Sequence, residues 1–285
     1  MTSPKIWIQG ARPRTLPAAI GPVLVATALA KSEATLPRAL LALLVSLSLQ
    51  VGVNYANDYS DGIRGTDSDR VGPIRLVGSG IATPSAVKRA ALLAFLLAAI
   101  AGFTLAALTT WWLLLVGAFA ILAAWAYTGG KNPYGYFGYG EISVFIFFGL
   151  VATMGSFYIQ SETLTLKSFI VALPMGALSC AILSMNNIRD RAKDGLVGKR
   201  TLAVRLGDRN SRYLYLALLL IAHISPLLLA TPWALLTLLL TPITFSLARI
   251  VLKGAEGKAL IPLLAKTAQL QIFFSTILAL ALWLS

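Results

Sequence analysis

The sequence predicts an all-α protein, a multi-pass membrane bundle of about nine transmembrane helices. Charged residues make up only 12% of the chain, about half the ~25% usual for soluble domains, and the mean hydropathy is +0.77. Several stretches reach the roughly 20 apolar residues that a helix needs to cross a bilayer. Lysine and arginine also concentrate in alternate loops, as they do in membrane proteins. We therefore expect lipid to cover most of the surface.

Hydropathy places nine spans along the chain, near 15–31, 38–56, 88–109, 111–128, 140–160, 168–187, 213–230, 232–250 and 266–284. Pro22, Pro174, Pro226 and Pro242 fall inside these spans, where neighbouring groups must satisfy the carbonyls that proline leaves free. No linker or low-complexity segment divides the chain. We therefore expect residues 1–285 to form a single transmembrane domain.

The basic residues predict the orientation of the bundle. With nine spans, Lys31, Arg38 and Lys167 fall on one side, and the other 21 of the 24 lysines and arginines fall on the opposite side. Because lysine and arginine accumulate in cytoplasmic loops, the N-terminus is predicted to be cytoplasmic and the C-terminus external. The net charge of +13 then follows from this bias and from anionic headgroups, so nucleic-acid binding is not expected.

Cys180 and His223 are the only cysteine and the only histidine in the sequence. A single cysteine permits neither an intrachain disulfide nor a multi-cysteine metal site. We interpret Cys180 as a small apolar helix residue and His223 as structural.

Two polar segments hold most of the scarce acidic residues. "NYANDYSDGIRGTDSDRVGPIR" (54–75) follows the second predicted span, and "MNNIRDRAKDGLVGKR" (185–200) follows the sixth. Together they contain six of the eleven acids: Asp58, Asp61, Asp67, Asp69, Asp190 and Asp194. Ionisable groups at a membrane edge are generally functional, so we interpret both segments as parts of a site. Their recurrence also predicts two pseudo-repeated halves, with acidic motifs near 54–75 and 186–201.

The spacing inside these segments predicts a magnesium site. Residues four apart share a helix face, so Asn57 lies beside Asp61 in a helix. The same spacing aligns Asn186, Asp190 and Asp194. Gathered carboxylates repel one another unless a cation lies among them, and magnesium takes oxygen ligands and commonly shares substrate phosphates. Interleaved basic residues favour a phosphorylated substrate, and these are Arg64, Arg70, Arg75, Arg189, Lys193, Lys199 and Arg200.

A third pattern, Y-x-x-x-K at Tyr127 and Lys131, follows the fourth predicted span on the same side. Lys131 is the only basic residue in its loop, and it is either a snorkelling helix end or a functional group. Tyr134, Tyr136 and Tyr139 either form an interfacial aromatic belt or line a pocket for a cation or an aromatic substrate.

Taken together, these motifs resemble the UbiA superfamily of intramembrane aromatic prenyltransferases. The two acidic segments and "NPYGYFGYGEISVFIFFG" are most similar to its 1,4-dihydroxy-2-naphthoate polyprenyltransferases of bacterial menaquinone synthesis, and the similarity covers nearly the whole chain. The resemblance implies nine helices around a central cavity with cytoplasmic cap loops, in the bacterial inner membrane. It also implies Mg2+, a polyprenyl diphosphate donor and the naphthoate acceptor, joined with loss of diphosphate and carbon dioxide to give demethylmenaquinol.

The residue patterns and the resemblance together give the expected roles of individual residues. Four are expected to be catalytic: Asp61, Asp190, Lys131 and Tyr127. Metal binding is expected of Asp58, Asp61, Asp67, Asp190 and Asp194, and either Asp58 or Asp67 or both could serve because Gly65 stands where the general pattern has an aspartate. Substrate binding is expected of Asn57, Arg64, Arg75, Asn186, Asn187, Arg189 and Lys199. Of these, Arg75 is expected to hold the acceptor carboxylate.

Two alternatives stay open at this point. The same fold could act on another aromatic acceptor such as 4-hydroxybenzoate, because the donor chemistry would be unchanged. A secondary transporter is the alternative of a different class. Transporters bind their ions near the bilayer midplane, however, whereas these acids fall at helix ends on one side. The sequence indicates no obligate protein partner.

Overall fold

The computed structural model of the chain describes residues 3–66 and 74–285, and the regular elements in these ranges are all helical. The α-helices are, in chain order, α1 (Pro4–Gly10), α2 (Pro17–Ala30), α3 (Leu36–Ile63), α4 (Pro84–Leu108), α5 (Trp112–Ala126), α6 (Gly140–Val144), α7 (Ala152–Ser161), α8 (Leu166–Leu196), α9 (Leu202–Ile224), α10 (Thr241–Leu252) and α11 (Leu260–Leu284). A π-helical turn, Phe145–Val151, joins α6 to α7 in one continuous helix. The segment before α10, Pro232–Leu240, is a 3-10 helix.

Each predicted span falls on a helix, but the count of nine stays a prediction. Within the described residues, seven helical stretches are long and apolar enough to cross a membrane: Leu36–Ile63, Pro84–Leu108, Gly140–Ser161, Leu166–Leu196, Leu202–Leu229, Pro232–Leu252 and Gly257–Leu284. Pro4–Thr15 and Pro17–Glu33, bent by 55°, make an eighth if they count as one span. α5 is apolar, but its 15 residues are fewer than the roughly 20 that a span needs.

The helices that carry the acidic segments continue past their apolar stretches. The predicted spans end at 56 and 187, whereas α3 ends at Ile63 and α8 at Leu196. Hydropathy detects only the apolar part of a helix, so it misses the polar turns that follow. As a result, residues four apart in both segments lie on continuous helices, as their spacing predicts.

α8 is the central helix of the bundle. Other helices cover 83% of its apolar window, and it packs against α2, α7, α9 and α11. The π-helical turn crosses it closely, because a Cβ added at Gly149 would lie 2.6 Å from Gly176 Cα. Real Cβ atoms do not approach this near, so glycine is required at this crossing. The crossing holds the helix containing α6 and α7 against α8.

Proline and glycine mark the irregular points of the helices. Pro22 and Pro174 lie inside α2 and α8 as predicted. Pro226 and Pro242 also lie inside spans as predicted, in Leu202–Leu229 and Pro232–Leu252, each close to a change between α-helix and 3-10 helix. Gly207 interrupts α9 with a φ of 75°, in the left-handed region that glycine adopts readily.

Candidate active site

The C-terminal ends of α3 and α8 meet at a polar cavity of about 120 Å³. Six of the acidic and amide residues that the sequence singled out line it: Asn57, Asp61, Asn186, Asn187, Asp190 and Asp194. The two acidic segments therefore share one chamber, and the roles of these residues stay predictions. Other polar residues of the lining include Arg12, Arg75, Tyr127, Tyr136, Lys193 and Lys199.

Asp61 is contacted from three directions in this polar cavity. Lys199 Nζ lies 3.0 Å from Asp61 Oδ1, and the Tyr136 hydroxyl donates a hydrogen bond of 2.5 Å to the same oxygen. The Arg75 guanidinium lies 3.5 Å from Asp61 Oδ2. Asp61 is only 3% exposed, so these partners stabilise a buried negative charge that would otherwise be costly.

Tyr136 belongs to the site and not to an aromatic belt alone. Its burial and the neighbouring Asp61 carboxylate raise the pKa of Tyr136 well above its usual range, so the hydroxyl keeps the proton that it donates to Asp61. The ring also faces two cations, with Lys199 Nζ at 4.6 Å and Arg64 Cζ at 5.3 Å from its centroid. Tyr136 therefore helps to hold the charged groups of the polar cavity in place.

Asp58 has surroundings different from those of Asp61. It is fully buried, and its carboxylate oxygens accept the backbone N–H groups of Leu76 at 2.8 Å and Val77 at 2.9 Å. These bonds anchor the returning chain against the end of α3, and Asp58 is not among the described residues that line the polar cavity. The structure therefore favours a structural role for Asp58 over metal binding. Asp67, the alternative ligand, lies outside the described residues.

Two basic residues that were expected in the site, Arg64 and Lys131, are not in the described lining of the polar cavity. The Arg64 guanidinium donates to the backbone carbonyls of Thr128 and Gly130, which ties the end of α3 to the loop after α5. Lys131 is exposed and is not among the described residues that line either cavity. The physical reason is that α5 ends at Ala126, so Lys131 is carried away on a loop instead of following Tyr127 along a helix.

Arg189 and Asn57 form side-chain hydrogen bonds with other residues of the protein, Asp190 and Thr128 respectively. Arg189 Nε and Nη2 each lie 2.7 Å from an oxygen of Asp190, a two-pronged contact of the strong, charge-assisted kind. Asn57 Oδ1 accepts the Thr128 hydroxyl at 2.7 Å. The Arg189 guanidinium therefore stabilises the Asp190 carboxylate directly. Its expected contact with substrate stays a prediction.

A larger, mainly apolar cavity of about 280 Å³ adjoins the polar one. Residues of α2, α3, α4, α5, α7, α8 and the π-helical turn form its wall. Gly117 and Gly155 lie on this wall, and a Cβ added at either would meet no atom within 4 Å. Five residues line both cavities, which marks where the two meet: Arg12, Asn57, Tyr127, Leu183 and Asn186.

Arg12 is a site residue that the sequence patterns did not reveal. It lies at the bend between α1 and α2, with a φ of 52°. Asn54 Nδ2 holds this bend by donating to Ala11 O at 2.8 Å and to Thr15 Oγ1 at 3.0 Å. Gln50 Nε2 also donates to Thr15 Oγ1, at 3.0 Å. A buried amide network in α3 therefore positions Arg12 at the junction of the cavities.

The sequence carries a signal for this network. Polar residues recur at intervals of three or four along the C-terminal half of α3, at Gln50, Asn54, Asn57 and Asp61. Such spacing puts them on one helix face. That face continues the acidic motif into the membrane interior. The position of Arg12 opposite the face has no comparable signal, because it depends on how α1 and α2 fold back.

The donor chemistry of the polar cavity fits magnesium. Carboxylate and amide oxygens line it, and its described lining contains no histidine or cysteine. Magnesium usually takes one or two carboxylates and completes its shell with waters and substrate phosphates. Among the described residues, no group of three acidic, histidine or cysteine side chains could hold an ion alone. Asp61, Asp190 and Asp194 are the carboxylates available in the described lining.

Known proteins with similar sequences define the class as a membrane prenyltransferase. The UbiA prenyltransferase family model matches residues 19–277. The chain is 49% identical to a 1,4-dihydroxy-2-naphthoate octaprenyltransferase of Mycobacterium tuberculosis, over 97% of this chain and 96% of that protein. It is 37% identical to the Escherichia coli protein of the same name, over 98% and 95% of the two chains. The chain belongs to the UbiA prenyltransferase family.

Solved structures share the fold at low sequence identity. A UbiA homologue from Archaeoglobus fulgidus bound to GPP and Mg2+ matches with a TM-score of 0.67 and 14% identity, covering 98% of this chain and 99% of that one. An apo UbiA homologue from Aeropyrum pernix K1 matches with a TM-score of 0.72 and 15% identity, covering 93% and 96%. The predicted all-α membrane fold is therefore confirmed.

Proposed function

We propose that this protein transfers a polyprenyl group from polyprenyl diphosphate to 1,4-dihydroxy-2-naphthoate, with loss of diphosphate and carbon dioxide, in menaquinone synthesis. The observation that carries the proposal is the polar cavity between α3 and α8, which adjoins an apolar cavity among the helices. A diphosphate group suits the first cavity, and an isoprenoid chain suits the second. The two octaprenyltransferase relatives, similar along nearly their whole length, support the naphthoate as acceptor.

The polar cavity is suited to hold the diphosphate. Asp61, Asp190 and Asp194 would hold Mg2+, which would supply positive charge against the negative charge that develops on a departing diphosphate. Lys199 adds a positive charge beside Asp61. Lys193 Nζ is buried at the same cavity without a hydrogen-bond partner, so its ammonium can donate to a phosphate oxygen. These cations supply donors where the charge of the leaving group grows.

The apolar cavity protects the reactive carbon. The allylic carbon–oxygen bond breaks with its electron pair leaving on the diphosphate, and the remaining allyl cation would react with water if water entered. Tyr127 lines both cavities and presents an aromatic ring near their junction. The acceptor carbon that bears the carboxylate forms the new carbon–carbon bond. Carbon dioxide then leaves, and its bonding electron pair restores the aromatic ring.

Arg12 is our assignment for the group that holds the acceptor carboxylate. Arg75, the residue first expected to do so, lies at Asp61, where its charge serves the polar cavity. Arg12 lines both cavities, so an acceptor held there has its ring near the allyl group and its carboxylate near a guanidinium. Arginine binds carboxylates in a planar, two-pronged geometry, which also fixes the orientation of the ring.

The membrane supplies the donor and takes up the product. α5 packs on α3 and α4, and Ala124 is its one buried residue, so most of this short helix borders lipid and the apolar cavity. We infer that the isoprenoid chain enters and leaves along α5. The distribution of lysine and arginine supports a polar cavity that faces the cytoplasm of a bacterial inner membrane.

Mass spectrometry of the product tests the proposal. Membranes containing the protein are incubated with Mg2+, a polyprenyl diphosphate and either 1,4-dihydroxy-2-naphthoate or 4-hydroxybenzoate. We expect a decarboxylated prenyl product from the naphthoate and none from the benzoate. A product from the benzoate alone would favour the other acceptor. If the purified protein releases no diphosphate with either acceptor, it is not a prenyltransferase of this kind.

A further inference from the structure

Glu141 is a buried carboxylate that the reaction described above does not use. It lies in the first turn of α6, is 7% exposed, and is one of three buried acids among the described residues, with Asp58 and Asp61. Its Oε1 accepts a hydrogen bond of 2.8 Å from Asn187 Nδ2, and its Oε2 is buried without a hydrogen-bond partner. Burying a carboxylate with so few partners costs free energy of folding, which favours a functional reason for the contact between Glu141 and Asn187.

Asn187 faces the polar cavity from α8. An asparagine amide can present either its oxygen or its NH2 group to a ligand, because the two have nearly the same shape. In the structure the Asn187 NH2 group points towards Glu141 Oε1, and an ionised carboxylate, which only accepts hydrogen bonds, holds it in that orientation. The Asn187 oxygen is then the atom left for the cavity.

The surroundings of Glu141 are built to hold this orientation. Cys180 Sγ donates to the Glu141 backbone carbonyl at 3.1 Å, which ties α6 to α8 beside the contact. A Cβ added at Gly140 would lie 3.1 Å from Tyr127 Oη, so the helix start sits closely against a residue that lines both cavities. Side chains supported in this way keep a defined geometry towards a ligand.

We propose that Glu141 is a positioning residue that turns the Asn187 amide oxygen towards the magnesium–diphosphate headgroup. This inference rests on the proposed function, because it requires a cation at the polar cavity. The amide oxygen is a neutral, hard ligand of the kind that magnesium accepts beside carboxylates. Without Glu141, the amide is free to turn its NH2 group towards the cation, which repels it. Glu141 acts through Asn187 and does not touch the substrate.

The test measures ligand binding instead of turnover. Purified protein in detergent is titrated with Mg2+ and a prenyl thiodiphosphate, a donor analogue that resists cleavage, and the heat of binding is recorded. We expect Glu141→Ala to weaken binding by about tenfold, as is typical when a group supporting a metal ligand is removed. Glu141→Gln keeps an acceptor oxygen for Asn187, and so an intermediate affinity is expected.

A double-mutant cycle separates positioning from general damage. If Glu141 acts only through Asn187, the double variant Glu141→Ala/Asn187→Ala binds no more weakly than Asn187→Ala alone. Losses that multiply in the double variant, or wild-type binding in Glu141→Ala, would overturn the inference. If the wild-type protein itself fails to bind the thiodiphosphate with Mg2+, the proposed function fails instead.

Thr267→Val is the matched control. It removes a buried side-chain hydrogen bond, the 2.8 Å contact between Thr267 and Tyr215, and neither residue is among the described lining of the two cavities. We expect this variant to lose some thermal stability and to bind the thiodiphosphate like the wild type. A comparable loss of binding in Thr267→Val would mean that any buried polar deletion weakens the site, and the specific role of Glu141 would be refuted.

Discussion

Lys199 Nζ and Asp61 Oδ1 lie 3.0 Å apart, in a contact between the segment that follows α8 and the end of α3. The two side chains are only 11% and 5% exposed. The backbone supports this pair, because Lys199 N donates to Asp194 O at 2.8 Å and Arg200 N donates to Tyr136 O at 2.8 Å. The contact therefore joins the two acidic segments and the loop after α5 around one polar cavity.

Replacing Lys199 should weaken binding of the donor. A charged hydrogen bond contributes to the free energy of binding, so we expect Lys199→Met to raise the KM for polyprenyl diphosphate by about tenfold. The KM of Lys199→Arg should lie between those of Lys199→Met and the wild type. Steady-state kinetics with varied donor measures the change. Lys88→Met is the control, because Lys88 is exposed and is not among the described lining residues. An unchanged donor KM in Lys199→Met would contradict the assignment.

Asp61 and Asp190 should each be essential for turnover. Loss of a group that stabilises developing charge costs at least about a hundredfold, so we expect Asp61→Ala and Asp190→Ala to abolish measurable diphosphate release. Size-exclusion chromatography in detergent checks that each variant stays folded, and Asp61→Asn preserves side-chain volume. Asp208→Ala is the control, since Asp208 pairs with Arg212 at 2.7 Å on α9. Near-wild-type activity in either Asp61→Ala or Asp190→Ala would rule out the metal assignment.

Arg12 should determine the affinity for the acceptor. We expect Arg12→Ala to raise the KM for 1,4-dihydroxy-2-naphthoate by about tenfold or more, because a carboxylate would lose its charged partner. The donor KM should change much less, since the headgroup lies with Asp61 and Lys199. Arg14→Ala is a close control, because Arg14 is exposed and is not among the described lining of either cavity. Equal effects on both KM values would argue that Arg12 only stabilises the bend.

Lys131 should be dispensable, in contrast to the expectation from Y-x-x-x-K. It is exposed, and exposed substitutions away from specific contacts have small effects, so we expect Lys131→Ala to keep at least about half of the wild-type turnover. The measurement is diphosphate release at saturating substrates. A loss of more than about tenfold would show that Lys131 reaches the substrate in a conformation other than the one described.

Gly155 should control how long a prenyl chain the enzyme accepts. A Cβ added there meets no atom within 4 Å, so the larger side chain of Gly155→Phe enters the apolar cavity. We expect the KM for long-chain donors to rise by about tenfold because the phenyl ring overpacks the cavity. The KM for short-chain donors should rise less. Competition between donors, read by mass spectrometry, measures the preference. Leu280→Phe, on the exposed side of α11, is the control, and an unchanged preference in Gly155→Phe would exclude this path for the chain.

Local sequence patterns were sufficient for the helices and for the main acidic residues of the site. Hydropathy predicts the spans because a helix that crosses a bilayer consists mainly of apolar residues. The spacing of Asn186, Asp190 and Asp194 predicts a shared helix face because the helical repeat is a local property. Tyr127, which the sequence predicts to be catalytic, lines both cavities, and its catalytic role stays a prediction. The division into two pseudo-repeated halves stays a prediction.

Hydropathy predicts the bounds of the helices less well than their existence. It stopped the second and sixth spans before the turns that carry the acids, since those turns face water or the cavity and not lipid. It also predicts a full span at 111–128, where α5 has 15 residues, and this span stays a prediction.

The sequence by itself therefore determined that the chain is a helical membrane protein with two acidic helix ends. Only the tertiary structure decided which partners those ends meet: Lys199 and Tyr136 at Asp61, the backbone N–H groups at Asp58, and Glu141 at Asn187. The physical reason is that a helix repeat fixes neighbours three or four residues apart, whereas contacts between distant segments depend on how helices pack. The Gly149–Gly176 crossing and the bend at Arg12 are packing events of this kind, and they complete the site.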